Sequence, residues 1–75
     1  MERYADIDND SGVVGYEIGA DFIRVQFSDG AIYLYTATST GLSDVETMKQ
    51  LARAGEGLNS FIKRNVGRRY ARKER

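Results

Sequence analysis

The stretch Phe27-Ser28-Asp29-Gly30-Ala31-Ile32-Tyr33-Leu34-Tyr35 decides the fold, because it reads as a strand, a tight turn and a second strand. Asp-Gly between two apolar runs is among the strongest short hairpin signals: a two-residue type I′ turn needs positive φ at both central residues, and this dipeptide tolerates it. Such a turn sets Ser28 against Ala31 and, moving outward, Phe27 against Ile32, Gln26 against Tyr33, Val25 against Leu34 and Arg24 against Tyr35. Strand side chains alternate between faces, so this register predicts a core face of Ile23, Val25, Phe27, Ile32 and Leu34. The opposite face then carries Arg24, Gln26, Tyr33 and Tyr35.

Upstream, Gly12-Val13-Val14-Gly15-Tyr16-Glu17-Ile18-Gly19 alternates and holds β-branched and aromatic residues, which predicts a first strand with Gly19-Ala20 as its turn. Val14 and Tyr16 then lie beside Val25 and Ile23. Downstream, Thr36 to Gly41 reads as a polar loop. Ser43-Asp44-Val45-Glu46 has the form of a capping box, and Val45, Met48, Leu51 and Ala52 recur at helical spacing until Ala54-Gly55-Glu56-Gly57. Leu58, Phe61, Ile62 and Val66 predict a second, shorter helix ending at Gly67. The expected fold is α+β: a three-stranded antiparallel meander followed by two C-terminal helices packed on one face of the sheet. One domain covers residues 1–75, with its core at about 12–67, an acidic N-terminal segment at 1–11 and a basic tail at 68–75.

Composition narrows the chemistry. A chain of 75 residues is short enough to bury only roughly 60–65% of the surface its unfolded form exposes, so the core is small. Without Cys or His it has no disulfide and no thiolate or imidazole metal site, which suits an intracellular, cytoplasmic protein. No apolar run approaches a membrane span, and the acidic start lacks the basic opening of a signal peptide, so no membrane partner is expected. The zero formal net charge conceals an asymmetry. Residues 1–60 hold 4 Lys/Arg against 10 Asp/Glu, whereas residues 61–75 hold 7 against 1. A basic end on an acidic body fits contact with nucleic acid or an acidic surface, or simply two solvated ends that offset each other.

Three candidate chemistries are weak. Asp6, Asp8 and Asp10 alternate like calcium-loop ligands with Glu17 in the closing position, but Ser11 stands where the sharp turn wants Gly. With neither His nor Cys, and no telling pair of carboxylates, catalysis is not expected. Gly55-Glu56-Gly57 before Leu58 and Asn59 reads as a turn more than a phosphate cradle. The tyrosines are more informative. Tyr33 and Tyr35 beside Arg24 and Gln26 either form a platform on which unpaired bases stack, or are covered by the C-terminal segment with Tyr70 or the arginine stems lying across them.

Val13-Val14-Gly15-Tyr16, the Tyr33-x-Tyr35 strand and Gly55-Glu56-Gly57-Leu58-Asn59-Ser60-Phe61-Ile62-Lys63, in that order and spacing, make the chain resemble the KTSC domain. That family is named for its occurrence at the C-terminus of some lysyl-tRNA synthetases and also includes small stand-alone bacterial proteins. In the resemblance Gly55, Asn59 and Ile62 match a Gly, Asn and Ile pattern followed by a basic residue. Gly57 and Leu58 stand where aromatics are usual, and the Val-Pro after the second tyrosine is missing. The synthetase association implies RNA as a partner.

Two functions follow as expectations. The first is a small non-enzymatic RNA-binding module, without cofactor, in which Lys63, Arg64, Arg68, Arg69 and Arg72 hold phosphates while Tyr33, Tyr35 and Arg24 offer stacking surface. The second is a protein-interaction or accessory module that uses an exposed strand edge or the tyrosine face, with another protein or a second copy of itself.

Overall fold

The computed structural model describes residues 1–7 and 12–75. Its strands are β1 (Glu2–Arg3), β2 (Val13–Ile18), β3 (Phe22–Phe27), β4 (Ile32–Thr36) and β5 (Arg72–Lys73). They form one sheet in the order β1-β2-β3-β4-β5, each neighbour antiparallel. Between β4 and β5 come α1 (Ala37–Thr40), α2 (Leu42–Ala54) and α3 (Leu58–Phe61), the last widening directly into a π-helix over Ile62–Val66. The expected three-stranded meander with two C-terminal helices is therefore corrected to five strands with an extra short helix. The meander's outer strands would have left open edges, and the terminal segments take up their backbone groups. Tyr4 N–H donates to Val14 O at 3.0 Å on one side, while Ala71 N–H and Glu74 N–H donate to Leu34 O and Ile32 O at 2.7 Å on the other.

The central hairpin differs from expectation by one residue, and that residue changes the molecule. Gly30 N–H donates to Phe27 O, and Phe27 N–H to Ala31 O, both at 2.8 Å, so the loop has three residues, Ser28 to Gly30. Gly30 takes φ of 92°, whereas Asp29 keeps negative φ and caps the turn by accepting the Ala31 N–H on its Oδ1. A turn followed by a left-handed glycine bulge uses the Asp-Gly dipeptide as well as the two-residue turn does. Ile23 consequently faces Tyr35, Val25 faces Tyr33 and Arg24 faces Leu34. A slip of one residue exchanges the faces of a strand. Tyr33 and Tyr35 thus share the inner face with Ile23 and Val25, and Ile32 and Leu34 share the outer face with Arg24 and Gln26.

The first hairpin is shifted by an even number of residues, which preserves its faces. Tyr16 opposes Val25 and Ile18 opposes Ile23, with the register broken between Val13 and Gly15. This irregularity turns Val13 into the core and leaves Val14 exposed, the reverse of the expected inward Val14. The helices cover the inner face. Val45, Met48 and Ala52 are buried, as are Leu58, Ile62 and Val66, each large apolar side chain contributing on the order of 1.5–3 kcal/mol when fully buried.

Helix capping is relocated too. The reciprocal capping box belongs to Thr36 and Ser39 at the start of α1, while α2 starts at Leu42 after Gly41 and carries Ser43 inside its first turn. Glu46 pairs with Lys49, whose buried Nζ also donates to Ala20 O at 2.9 Å and so ties α2 to the β2–β3 turn. The acidic N-terminal segment contributes Tyr4 to the core. Its ring is buried and its hydroxyl accepts the Leu58 N–H at 3.2 Å.

Candidate binding groove

The slip of β4 places the tyrosine pair against the helices. Tyr35 is 2% exposed, and Tyr70, arriving after the π-helix, sets its ring edge-on to both partners, 4.7 Å from Tyr33 and 6.2 Å from Tyr35 between centroids. Phe27 closes the row, 5.6 Å from Tyr33. Of the two readings open for these rings, cover by Tyr70 is the one observed, so they form no flat platform on an outer face. Burial, with Tyr33 and Tyr70 close by, pushes the Tyr35 phenol well above its ordinary range.

One side of this aromatic row remains open. A groove of about 470 Å³ runs between the β3–β4 hairpin and the last helix, walled by Phe27, Tyr33, Tyr35 and Tyr70 and floored by Asn59 and Ile62. Lys63 and Arg68 stand at its rim, both exposed and paired with no described carboxylate. The π-helix helps set this position, since its wide turn closes with Gly67 N–H donating to Ile62 O at 2.6 Å, just before Arg68. Asn59 is 7% exposed, and Gly12 lies so close that a Cβ there would collide with the Asn59 amide. Glycine at position 12 is therefore a condition for the groove's polar floor.

Four of the eight expected site residues, Tyr33, Tyr35, Lys63 and Arg68, thus meet in one groove. The other four do not join them. Arg24 and Arg72 lie on the opposite face, in a chain of ion pairs: Glu17 to Arg24 at 3.2 Å, Arg24 to Glu74 at 2.7 Å and Glu74 to Arg72 at 3.0 Å. The Arg24 hydrogen bond holds the Glu74 carboxyl below the usual carboxylate range, and the same contact raises the Arg24 guanidinium. The Arg24 guanidinium also sits 4.9 Å from the Phe22 ring centre. Arg69 donates to Thr40 O at 2.7 Å, to Asp44 at 2.6 Å and to Asn65 O, while Thr40 Oγ1 donates back to Arg69 O. It fastens the chain to the helices just before Tyr70. Arg64 is exposed on the π-helix but does not line the groove.

Asn59, Gly12, Phe27 and Asp29 line the groove without having been singled out as ligand contacts from sequence. Asn59 carried the one usable signal, its place in the Gly, Asn and Ile pattern. Of the calcium-loop residues, Asp8 and Asp10 lie outside the described residues, and Glu17 is engaged with Arg24 in β2. Among the described residues no group of three or more His, Cys, Asp or Glu is arranged to hold a metal ion, and no helix is long and apolar enough to cross a membrane.

Fold and groove together describe a small α+β domain with an aromatic cleft and a cationic rim. No family model, no curated protein and no solved structure matches the chain.

Proposed function

We propose that this chain is a small, non-enzymatic RNA-binding module of the KTSC type, working in the cytoplasm, whose groove takes a nucleotide of single-stranded RNA. The observation that carries the reading is the placement of two cations that pair with no described carboxylate, Lys63 and Arg68, on the rim of a cleft walled by four aromatic rings. Base–aromatic contact is tolerant of sequence and worth about 1–3 kcal/mol per base, and cationic side chains hold the phosphate that must accompany the base. A groove of this size falls within the range of ligand pockets. The resemblance to a domain found on some lysyl-tRNA synthetases supports the same partner. Arg24, Arg69 and Arg72, already held by carboxylates or carbonyls, act in this reading as structural residues.

Amide-resolved NMR titration with a short single-stranded RNA, at low and moderate salt, tests it. Shifts are expected at Tyr33, Tyr35, Asn59, Lys63 and Arg68, with a log–log salt slope of about −1.4 for two phosphates held on a single strand. Shifts restricted to the exposed chain after Gly67, or binding indifferent to salt, contradict it. A protein partner would then account better for the groove.

A further inference from the structure

The groove does not end at the hairpin tip. A second depression of about 460 Å³, lined by Gln26, Asp29, Gly30, Ala31, Lys73 and Arg75, shares Asp29 with it. The two depressions are also linked through Lys73, whose Nζ sits 5.9 Å from the centre of the Tyr33 ring that walls the first. Lys73 and Arg75 are exposed and pair with no described carboxylate, unlike their neighbour Arg72. The molecule thus sets a pair of cations with no described counter-ion on each side of a three-residue loop, with the Asp29 carboxylate between them. An isolated anion would be served by either pair alone. Two pairs divided by a negative charge suit two anions held apart.

Resting on the proposed RNA reading, we infer that the ligand unit is a dinucleotide step that straddles the Ser28–Gly30 loop, one phosphate at Lys63 and Arg68 and the next at Lys73 and Arg75. Asp29 repels phosphate from the loop itself and so fixes the spacing of the two contacts. The loop is rigid enough for this role, because Asp29 Oδ1 accepts the Ala31 N–H at 2.9 Å and the Phe27 backbone closes the turn on both sides. The position of Lys73 depends on β5, which the Arg24–Glu74–Arg72 ion pairs hold on the sheet from the other face. The ion pairs of one face therefore position Lys73 on the other.

The test is an NMR titration of the full chain with uridine 5′-monophosphate, then 5′-phosphorylated di- and triuridylate, at one low salt concentration. Affinity is expected to rise at least tenfold from one nucleotide to two and less than threefold from two to three. In the Lys73→Gln/Arg75→Gln variant the first rise should shrink to less than threefold while the affinity for the monophosphate stays within twofold of the parent. Lys73→Arg should keep the rise, and unchanged Ile32 and Glu74 amide positions would show that β5 is still in place. A first rise that is missing in the parent chain, or undiminished in the double variant, overturns the two-site arrangement while leaving the single groove standing. Absence of binding by all three ligands at millimolar concentration overturns the groove reading itself, and the two-site arrangement with it.

Discussion

The two faces of the sheet carry similar residue types and use them in opposite ways. On the outer face Glu17, Arg24, Glu74 and Arg72 answer one another across β2, β3 and β5, and Leu34, flanked by Arg24 and Arg72 on its neighbour strands, is left 8% exposed. On the inner side Lys63 and Arg68 stand beside aromatic rings with no described counter-ion. A count of arginines and lysines treats these groups alike. Only their partners tell which charges maintain the fold and which remain available to a ligand.

The largest effect should come from removing what the two faces share, the buried strand β4. Tyr35→Ala is expected to destabilise the domain by about 3–5 kcal/mol in chemical denaturation, the range for deleting a buried aromatic side chain. A loss under 1 kcal/mol would mean that Tyr35 is not a core residue and that the faces are assigned the wrong way round. Next comes the contrast between charges. Lys63→Gln/Arg68→Gln should lower RNA affinity at least tenfold while leaving stability within about 0.5 kcal/mol, as expected for exposed positions without a described ion-pair partner. The same neutralisation at Arg69 should do the reverse: Arg69→Gln is expected to cost about 1 kcal/mol of stability through its lost carbonyl and Asp44 contacts, and to move the Tyr70 resonances.

Two pH effects separate the faces further, and both are smaller. Because burial raises the Tyr35 phenol in the folded state, its contribution is complete below the ordinary tyrosine range near pH ~10 and declines as the pH climbs above it. Tyr35→Phe should flatten the alkaline limb of the stability curve. Glu74 has the opposite sign. Its carboxyl is depressed by Arg24, so its contribution is present above the ordinary carboxylate range and disappears as the pH falls below it. Amide protection factors at Ala71 and Glu74, corrected for the intrinsic exchange rate, should therefore fall on acidification, and Glu74→Gln should remove that dependence. An unchanged profile would detach β5 from the ion pairs of the outer face.

Much of the fold was legible where the pattern had a period. Val45, Met48 and Ala52 marked the buried stripe of α2, and Leu58, Ile62 and Val66 that of the last helix. The central register was not legible, because Ile32, Tyr33, Leu34 and Tyr35 are all apolar or aromatic, so either slip buries an acceptable face, and Asp-Gly serves turns of two and three residues equally well. Glu2-Arg3 and Arg72-Lys73 are too short and too charged to announce strands. They pair because the sheet offers them open edges, a property of the assembled fold rather than of their own residues. The site was half visible. Tyr33, Tyr35, Lys63 and Arg68 were recognisable by type, but the separation of Arg24 and Arg69 from them depends on long-range ion pairs with Glu74 and Asp44 that no local spacing encodes.

The most direct test of this account is to compare the salt-dependent RNA affinities of two charge-neutralised chains, Lys63→Gln/Arg68→Gln and Arg24→Gln/Arg72→Gln, each checked for an intact fold. The first is expected to lose at least tenfold in affinity and about half of its salt dependence, while the second, with unchanged Ile32 and Glu74 amide positions showing β5 still in place, is expected to bind within threefold of the parent. Equal losses in the two would show that binding follows total basic charge and not the groove.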